Sequence, residues 1–109
     1  MMINYEDFKK VEMKVGEIKE VELIEGSDKL LKLKVLFGEE ERQILSGIRK
    51  FFDDYNVLVG KKVPFVINLE PRKMMGLESQ GMILAVNDDE GNFSLLEVDS
   101  KIKSGSSVS

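Results

Sequence analysis

The sequence predicts an all-β fold: a small closed barrel with one short helix in its middle and a β extension at its C-terminal end. Three observations carry that prediction. Apolar and polar residues alternate in short runs separated by turn residues, the period-2 signal of half-buried strands. The period changes once, between Ile48 and Tyr55, to that of a helix. Gly16 interrupts the alternation of the longest run, at a point where glycine can carry the bulge or bend that closure of a small barrel requires.

Met13 to Glu25 reads as the first strand. Met13 and Val15 share one parity, Ile18 takes the other, and Val21 and Leu23 return to the first. Glu25-Gly26-Ser27-Asp28 is a turn signal. Leu31, Leu33, Val35 and Phe37 form the second strand, Gly38 to Glu41 a turn, and Arg42 to Ser46 a short third strand. Ile48, Phe51, Phe52 and Tyr55 then fall at i, i+3, i+4 and i+7, a short helix capped by Ser46 or Gly47. Asp53 and Asp54 oppose the helix dipole near its end and keep it short. Val63, Phe65, Ile67 and Leu69 make the fourth strand, with Pro64 expected at its start or on an unpaired edge. Met82 to Val86 is the fifth strand, Asn87 to Asn92 a hairpin loop, and Phe93 to Val98 a sixth strand. The tail from Lys103 to Ser109 either frays or adds a last short strand. Strands, one helix between the third and fourth, then more strands is the element order of the five-stranded OB-fold. The expectation is one domain over 1–109, with the barrel at about 10–86 and the extension at about 87–109.

Composition narrows the chemistry. The 109 residues contain no cysteine and no histidine, which removes disulfides, thiolate nucleophiles and the usual metal ligand and neutral-pH base. The adjacent carboxylates Asp53-Asp54 and Asp88-Asp89 sit in turn contexts and point apart, so no catalytic residue, metal site or cofactor is expected. No apolar run reaches a membrane span and the start lacks a signal-like h-region, so a cytoplasmic protein is expected. Net charge is -4, yet residues 29 to 73 carry a local +4 and the remainder -8. A cationic face built chiefly from residues 29 to 73 is expected.

The informative stretch is Asn68-Leu-Glu-Pro-Arg-Lys-Met-Met-Gly-Leu-Glu-Ser-Gln-Gly-Met-Ile-Leu-Ala85. It resembles the signature of the structure-specific tRNA-binding domain, also called the endothelial-monocyte-activating-polypeptide-II-like domain. Val15-Gly16-Glu17-Ile18, Ser27-Asp28-Lys29-Leu30, Arg42 to Ile48 and Leu58 to Lys61 match in order, so the resemblance runs from about Tyr5 to the C-terminus. It implies an OB-fold with a C-terminal extension, no catalysis, and recognition of tRNA by shape. It also implies a free-standing methionyl-tRNA synthetase β-subunit or a trans-acting tRNA-binding factor, since no synthetase catalytic region accompanies the domain here.

From chemistry alone, Lys29, Arg72 and Lys73 are either surface cations or phosphate ligands. The resemblance implies RNA binding for Lys29, Asn68, Arg72, Lys73, Ser79 and Met82. Arg49 and Lys50, on the polar side of the helix, either join that set or only solvate it. Met74 and Met75 are adaptable loop contacts or a plug over the barrel end. The stretch Ile24-Glu25-Gly26-Ser27 departs from the family's usual His-Pro. With no tryptophan and the phenylalanines mostly at core parity, recognition of folded RNA by shape and backbone is expected over base stacking.

The stand-alone members that the chain resembles are dimers. Phe93, Leu95 and Val98 alternate with Leu96, so apolar groups occupy both faces of a late strand, and Ile102 adds another. Leu95, Leu96, Val98 and Ile102 are the expected homodimer interface, against the alternative that the extension folds back on its own barrel. A methionyl-tRNA synthetase is the other expected partner. The runner-up function is a protein-binding, chaperone-like dimer on the same fold, separated by the Asn68, Lys73, Ser79 and Met82 set, which this chain retains.

Overall fold

A computed structural model describes residues 1–109, and the architecture is all-β and OB-like. A short helix α1 (Tyr5–Lys9) precedes strands β1 (Met13–Leu23), β2 (Leu31–Phe37), β3 (Glu40–Ser46), β4 (Lys62–Val66), β5 (Arg72–Met74), β6 (Leu77–Ser79), β7 (Met82–Ile83), β8 (Ala85–Asn87), β9 (Phe93–Leu95) and β10 (Ser107–Val108). The main sheet has the order β3-β2-β1-β4-β7, with β10 also on β1; β5-β6 and β8-β9 are separate ribbons. β1 pairs with β2 from Glu17 onward and with β4 up to Glu17. One long strand serving two partners along its two halves curls the sheet. β3 then meets the far end, where Gln80 N–H donates to the Gln43 carbonyl at 2.8 Å and Gln43 N–H to Gln80 Oε1 at 3.0 Å. Ile18, Leu31, Leu33, Val35, Ile44, Leu58, Val63 and Phe65 fill the interior and are fully buried.

The parity switch in β1 lies later than expected. The register shifts between Ile18 and Glu20, so the extra residue is Lys19 and the bulge is not at Gly16. Gly16 has a different reason. A Cβ there would stand 2.5 Å from Val35 Cγ1, 2.8 Å from Phe37 Cε1 and 2.9 Å from Phe65 Cδ1. The edge-to-face pair Phe37–Phe65, with ring centroids 5.4 Å apart, occupies the space a side chain would need.

The expected helix is instead two 3-10 turns, Arg49–Phe51 and Tyr55–Leu58, separated by Phe52 in extended conformation. Asp54 explains the break: its carboxylate accepts from Asn56 N–H at 3.0 Å and starts a new turn in place of continuing the first. Most of the apolar stripe still points inward, and Phe51 stays exposed. Ile48 is buried, Phe52 and Tyr55 pack on the core, and Phe51 stacks on Phe93 at 4.2 Å.

Pro64 is inside β4, not at its start or on an unpaired edge. It faces Val15 on β1, but Val15 sends its own bonds the other way. The Val15 N–H donates to the Ser106 carbonyl at 2.9 Å, and the Val15 carbonyl accepts from Gly105 N–H at 2.7 Å. The missing proline donor therefore leaves no gap in the β1 ladder. β4 ends at Val66, short of Leu69, and the fifth predicted strand is split into β7 and β8 because residues 85–87 leave the barrel to pair with β9.

The C-terminal tail is a strand, and the extension folds back on its own barrel. β10 takes up the edge of β1 opposite Met13 and Lys14, where β2 has ended. Val98 N–H donates to the Lys62 carbonyl at 2.8 Å, and Lys62 Nζ donates to the Ser100 and Ile102 carbonyls at 2.8 and 2.6 Å. At Gly105, φ is +89° and a Cβ would lie 2.9 Å from Gly38 N, so only glycine fits this close approach.

Candidate nucleic-acid interface

Three segments converge at one end of the barrel. The first is the β1–β2 loop around Gly26 to Lys29. The second is the 3-10 turn at Arg49–Phe51: Arg49 N–H donates to the Lys29 carbonyl at 3.1 Å, and its guanidinium donates to the Ser27 carbonyl at 2.6 Å. The third is the β5–β6 hairpin, a segment whose sequence predicts only a loop. Met75 and Gly76 take positive φ, 54° and 78°, the geometry of a tight hairpin turn. The Met75 methyl reaches Gly26, so the hairpin tip touches the β1–β2 loop. The segment that carries Lys29, the turn that carries Arg49 and Lys50, and the hairpin that carries Arg72 and Lys73 are thereby gathered on one side of the molecule.

Ion pairing divides the cations into two groups. On the outer face of β1, β2 and β3 every cation has a carboxylate partner. Lys19 lies 3.4 Å from Glu17, Lys32 3.1 Å from Glu22, Lys34 3.2 Å from Glu20 and 3.7 Å from Glu41, and Arg42 3.2 Å from Glu40. The hydrogen bond to Glu20, reinforced by the charges of Glu20 and Glu41, raises the Lys34 pKa above 10.5. An open depression of about 330 Å³ on this face is thus lined by spent charges. Lys61 is likewise held by Glu97 at 2.7 Å. The expectation that the cations of residues 29 to 73 act together therefore needs correction: Lys32, Lys34, Arg42 and Lys61 are neutralised locally. Lys29, Arg49, Lys50, Arg72 and Lys73 have no carboxylate within 4.0 Å.

The other residues singled out by sequence take distinct places. Asn68 Oδ1 accepts from Glu12 N–H at 2.8 Å and its Nδ2 donates to the Lys10 carbonyl at 2.6 Å, so the amide fastens the segment behind α1. Ser79 is buried; its hydroxyl accepts from Leu45 N–H at 3.0 Å and donates to the Gly81 carbonyl at 3.1 Å, bolting the hairpin to β3. Met82 is exposed, although strand parity alone reads it as core. Arg72, Met74 and Met82 line a cleft of about 70 Å³ with Leu45, Leu69 and Glu70. Leu69 and Glu70 are not legible as site residues in the sequence, because only the return of the chain through the hairpin brings them beside Met82. Leu95 is buried in the chain's own core, whereas Leu96 and Ile102 remain at the surface and Val98 is half-buried.

The OB-like barrel and the motif of residues 68–85 have counterparts among known proteins. The family model described as "Putative tRNA binding domain" fits residues 13–107. The chain belongs to this tRNA-binding domain family. The domain is 54% identical over 107 residues to a methionine–tRNA ligase of Caldanaerobacter subterraneus, aligned over 98% of this chain. It is 54% identical over 99 residues to that of Methanocaldococcus jannaschii, aligned over 91% of this chain. The chain spans 16% of the length of the first of these relatives and 15% of the second. Among solved structures, the MetRS-related protein from Pyrococcus horikoshii superposes with a TM-score of 0.93 at 40% identity, covering 99% of this chain and 98% of that one. The CsaA chaperone protein from Picrophilus torridus follows at 0.88 and 29%, covering 99% and 100%.

Proposed function

We propose that this tRNA-binding domain holds folded tRNA by its phosphates at the barrel mouth and delivers it to a methionyl-tRNA synthetase. The observation that carries the reading is the division of the cations. Lys29, Arg49, Lys50, Arg72 and Lys73 are without carboxylate partners and lie together on the three segments that meet there, whereas Lys9, Lys14, Lys62 and Lys103, also without carboxylates, lie on other segments, and Lys62 is spent on the Ser100 and Ile102 carbonyls. Backbone phosphates recruit such charges irrespective of sequence, which suits a module that grips tRNA by shape. The strand face, with its carboxylates, repels phosphate. The match to a MetRS-related protein, together with the identity to methionine–tRNA ligases, supports a link to that synthetase. Binding itself involves no bond making, and no residue is assigned a catalytic role.

A gel shift with bulk tRNA at two salt concentrations tests the reading: a shift that collapses at the higher salt is expected, and a salt-independent shift or none would overturn it. Recovery of a methionyl-tRNA synthetase on the bait from native lysate tests the partner.

The domain is further proposed to act as a homodimer. Val86 and Leu96 lie on the outward side of the β8–β9 ribbon and stay exposed, and Ile102 is at the surface nearby in sequence. Truncation after Val86 would remove Leu95 from the core and β10 from β1, so Leu96→Asp is the cleaner probe. It should convert a dimer to a folded monomer in sedimentation; a wild-type chain that already sediments as a monomer removes the proposal. A chaperone-like role on the same fold has the CsaA superposition in its favour, at lower identity than the MetRS-related protein.

A further inference from the structure

We propose that the cleft between the β5–β6 hairpin and β7 takes a single unpaired nucleobase that offers N–H donors, guanine above all. This rests on the tRNA-binding reading and deepens it. The cleft has a volume of about 70 Å³. Since one water needs roughly 10–15 Å³, it admits a group of about five waters' size, the face and edge of one base and not a base pair. Its walls are unusual for an exposed site: Leu69 and Met82 are about half exposed, at 48% and 47%, and Met74 and Leu45 complete an apolar slot. Thioethers and aliphatic groups flanking a slot suit a flat π surface.

The mouth carries both signs of charge. Glu70 and Arg72 line the cleft, yet neither pairs with the other or with any other charged group within 4.0 Å. Arg72 is free for the phosphate of the inserted nucleotide. Glu70 repels phosphate, so a carboxylate here is suited to a base edge. An ionised carboxylate only accepts hydrogen bonds. The Watson–Crick edge of guanine offers N1–H and the N2 amino group side by side and can satisfy both oxygens. Uracil presents one N–H between two carbonyl oxygens, which the carboxylate repels. The Ser79 hydroxyl, on the cleft wall, is already engaged by Leu45 and Gly81, so Glu70 is the reading group.

The test uses the full chain with 13C-labelled methionine methyls, titrated with GMP and with UMP, alongside a tRNA gel shift. GMP should move the Met74 and Met82 signals and leave those of Met1, Met2 and Met13 in place, at an affinity roughly tenfold or more above that of UMP. Glu70→Gln exchanges an acceptor for a donor at an exposed position, so it should abolish that preference while the salt slope of tRNA binding stays unchanged. Equal responses to GMP and UMP, silent Met74 and Met82 methyls at millimolar GMP, or an unaltered preference in Glu70→Gln would each overturn the proposal. If tRNA shifts the gel while those methyls stay silent, the cleft fails and the tRNA reading stands; if tRNA fails to shift the gel, the tRNA reading is what fails.

Discussion

Arg72 and Lys73 are adjacent on β5, and adjacent strand residues point to opposite faces. Arg72 turns toward the cleft on the side of Ser79, and Lys73 lies opposite Glu78 on the other side. Both are free cations, so Arg72→Ala with Lys73→Ala should weaken every tRNA to a similar degree. It should lower the salt slope by about 1.5, at roughly 0.7 to 0.9 for each phosphate that is no longer neutralised. Gel shifts with several purified tRNAs check this; weakening confined to one tRNA would contradict it. Ser79 makes a contrasting case. Its buried hydroxyl satisfies Leu45 N–H, so Ser79→Ala leaves a buried donor unpaired and should cost about 1–3 kcal/mol in urea unfolding. Any drop in tRNA binding in that variant would then follow from the hairpin's missing anchorage. Asp88 is a local switch in the β8–β9 loop. Hydrogen bonds from the Asn92 side chain, the Asn92 backbone and the Glu90 backbone hold its carboxyl below 3.8. A depressed pKa stabilises the loop above 3.8, and the contribution is lost as pH falls through the lower folded value. Amide exchange at Glu90 and Asn92 should accelerate over that acid range in the wild type and show no such step in Asp88→Asn.

At the scale of elements, the hairpin carries a conformational cost and β10 a structural duty. Met75 is the one non-glycine residue at positive φ. A left-handed side-chain residue costs roughly 1–2 kcal/mol, less for asparagine. Met75→Asn, giving Asn-Gly at the turn, should therefore raise stability by several tenths of a kcal/mol to about 1 kcal/mol. An unchanged or lower denaturation midpoint would argue that the packing of Met75 on Gly26 outweighs the strain. The two 3-10 turns at residues 49–58 show how an element can be half legible. The apolar spacing Ile48, Phe51, Phe52, Tyr55 marks an inward stripe; Ile48, Phe52 and Tyr55 do face inward, while Phe51 lies exposed and stacks on Phe93. It does not reveal that Asp54 restarts the chain with its own cap, because spacing alone does not decide between one helix and two turns. The β5–β6 hairpin is invisible in the sequence for a related reason. Its strands are three residues each, too short for a period to register, and its turn uses Met-Gly in place of the asparagine that would have signalled it.

For the whole molecule, charge is the organising quantity. A net charge of -4 would keep the chain away from RNA if it were spread evenly. On the proposed reading, pairing on the strand face and release at the barrel mouth direct tRNA to the mouth. With Lys29, Lys50, Arg72 and Lys73 each meeting a phosphate, the logarithm of the binding constant should fall by about 3 per decade of salt. Filter binding over a range of salt measures that slope, and a value near -1 would leave most of these cations without a role. Two such mouths in a homodimer would enlarge the grip on a molecule much bigger than one barrel and raise the effective concentration of the second mouth.

By itself the sequence determined the all-β class, the order of the first four barrel strands, most of the inward-facing core positions and the motif that places this chain among tRNA-binding domains. These rest on local alternation and on residue identity, both of which survive without coordinates. Tertiary structure alone decided which cations are free, because Lys32 and Lys73 look alike in sequence until Glu22 arrives across β1–β2 beside the first and no carboxylate closes on the second. It decided that Asn68 and Ser79 hold backbone in place, since their partners at Lys10, Glu12 and Leu45 are tens of residues away. And it decided that Gly16 and Gly105 answer to close packing: a missing Cβ is felt only when another part of the chain moves into its space.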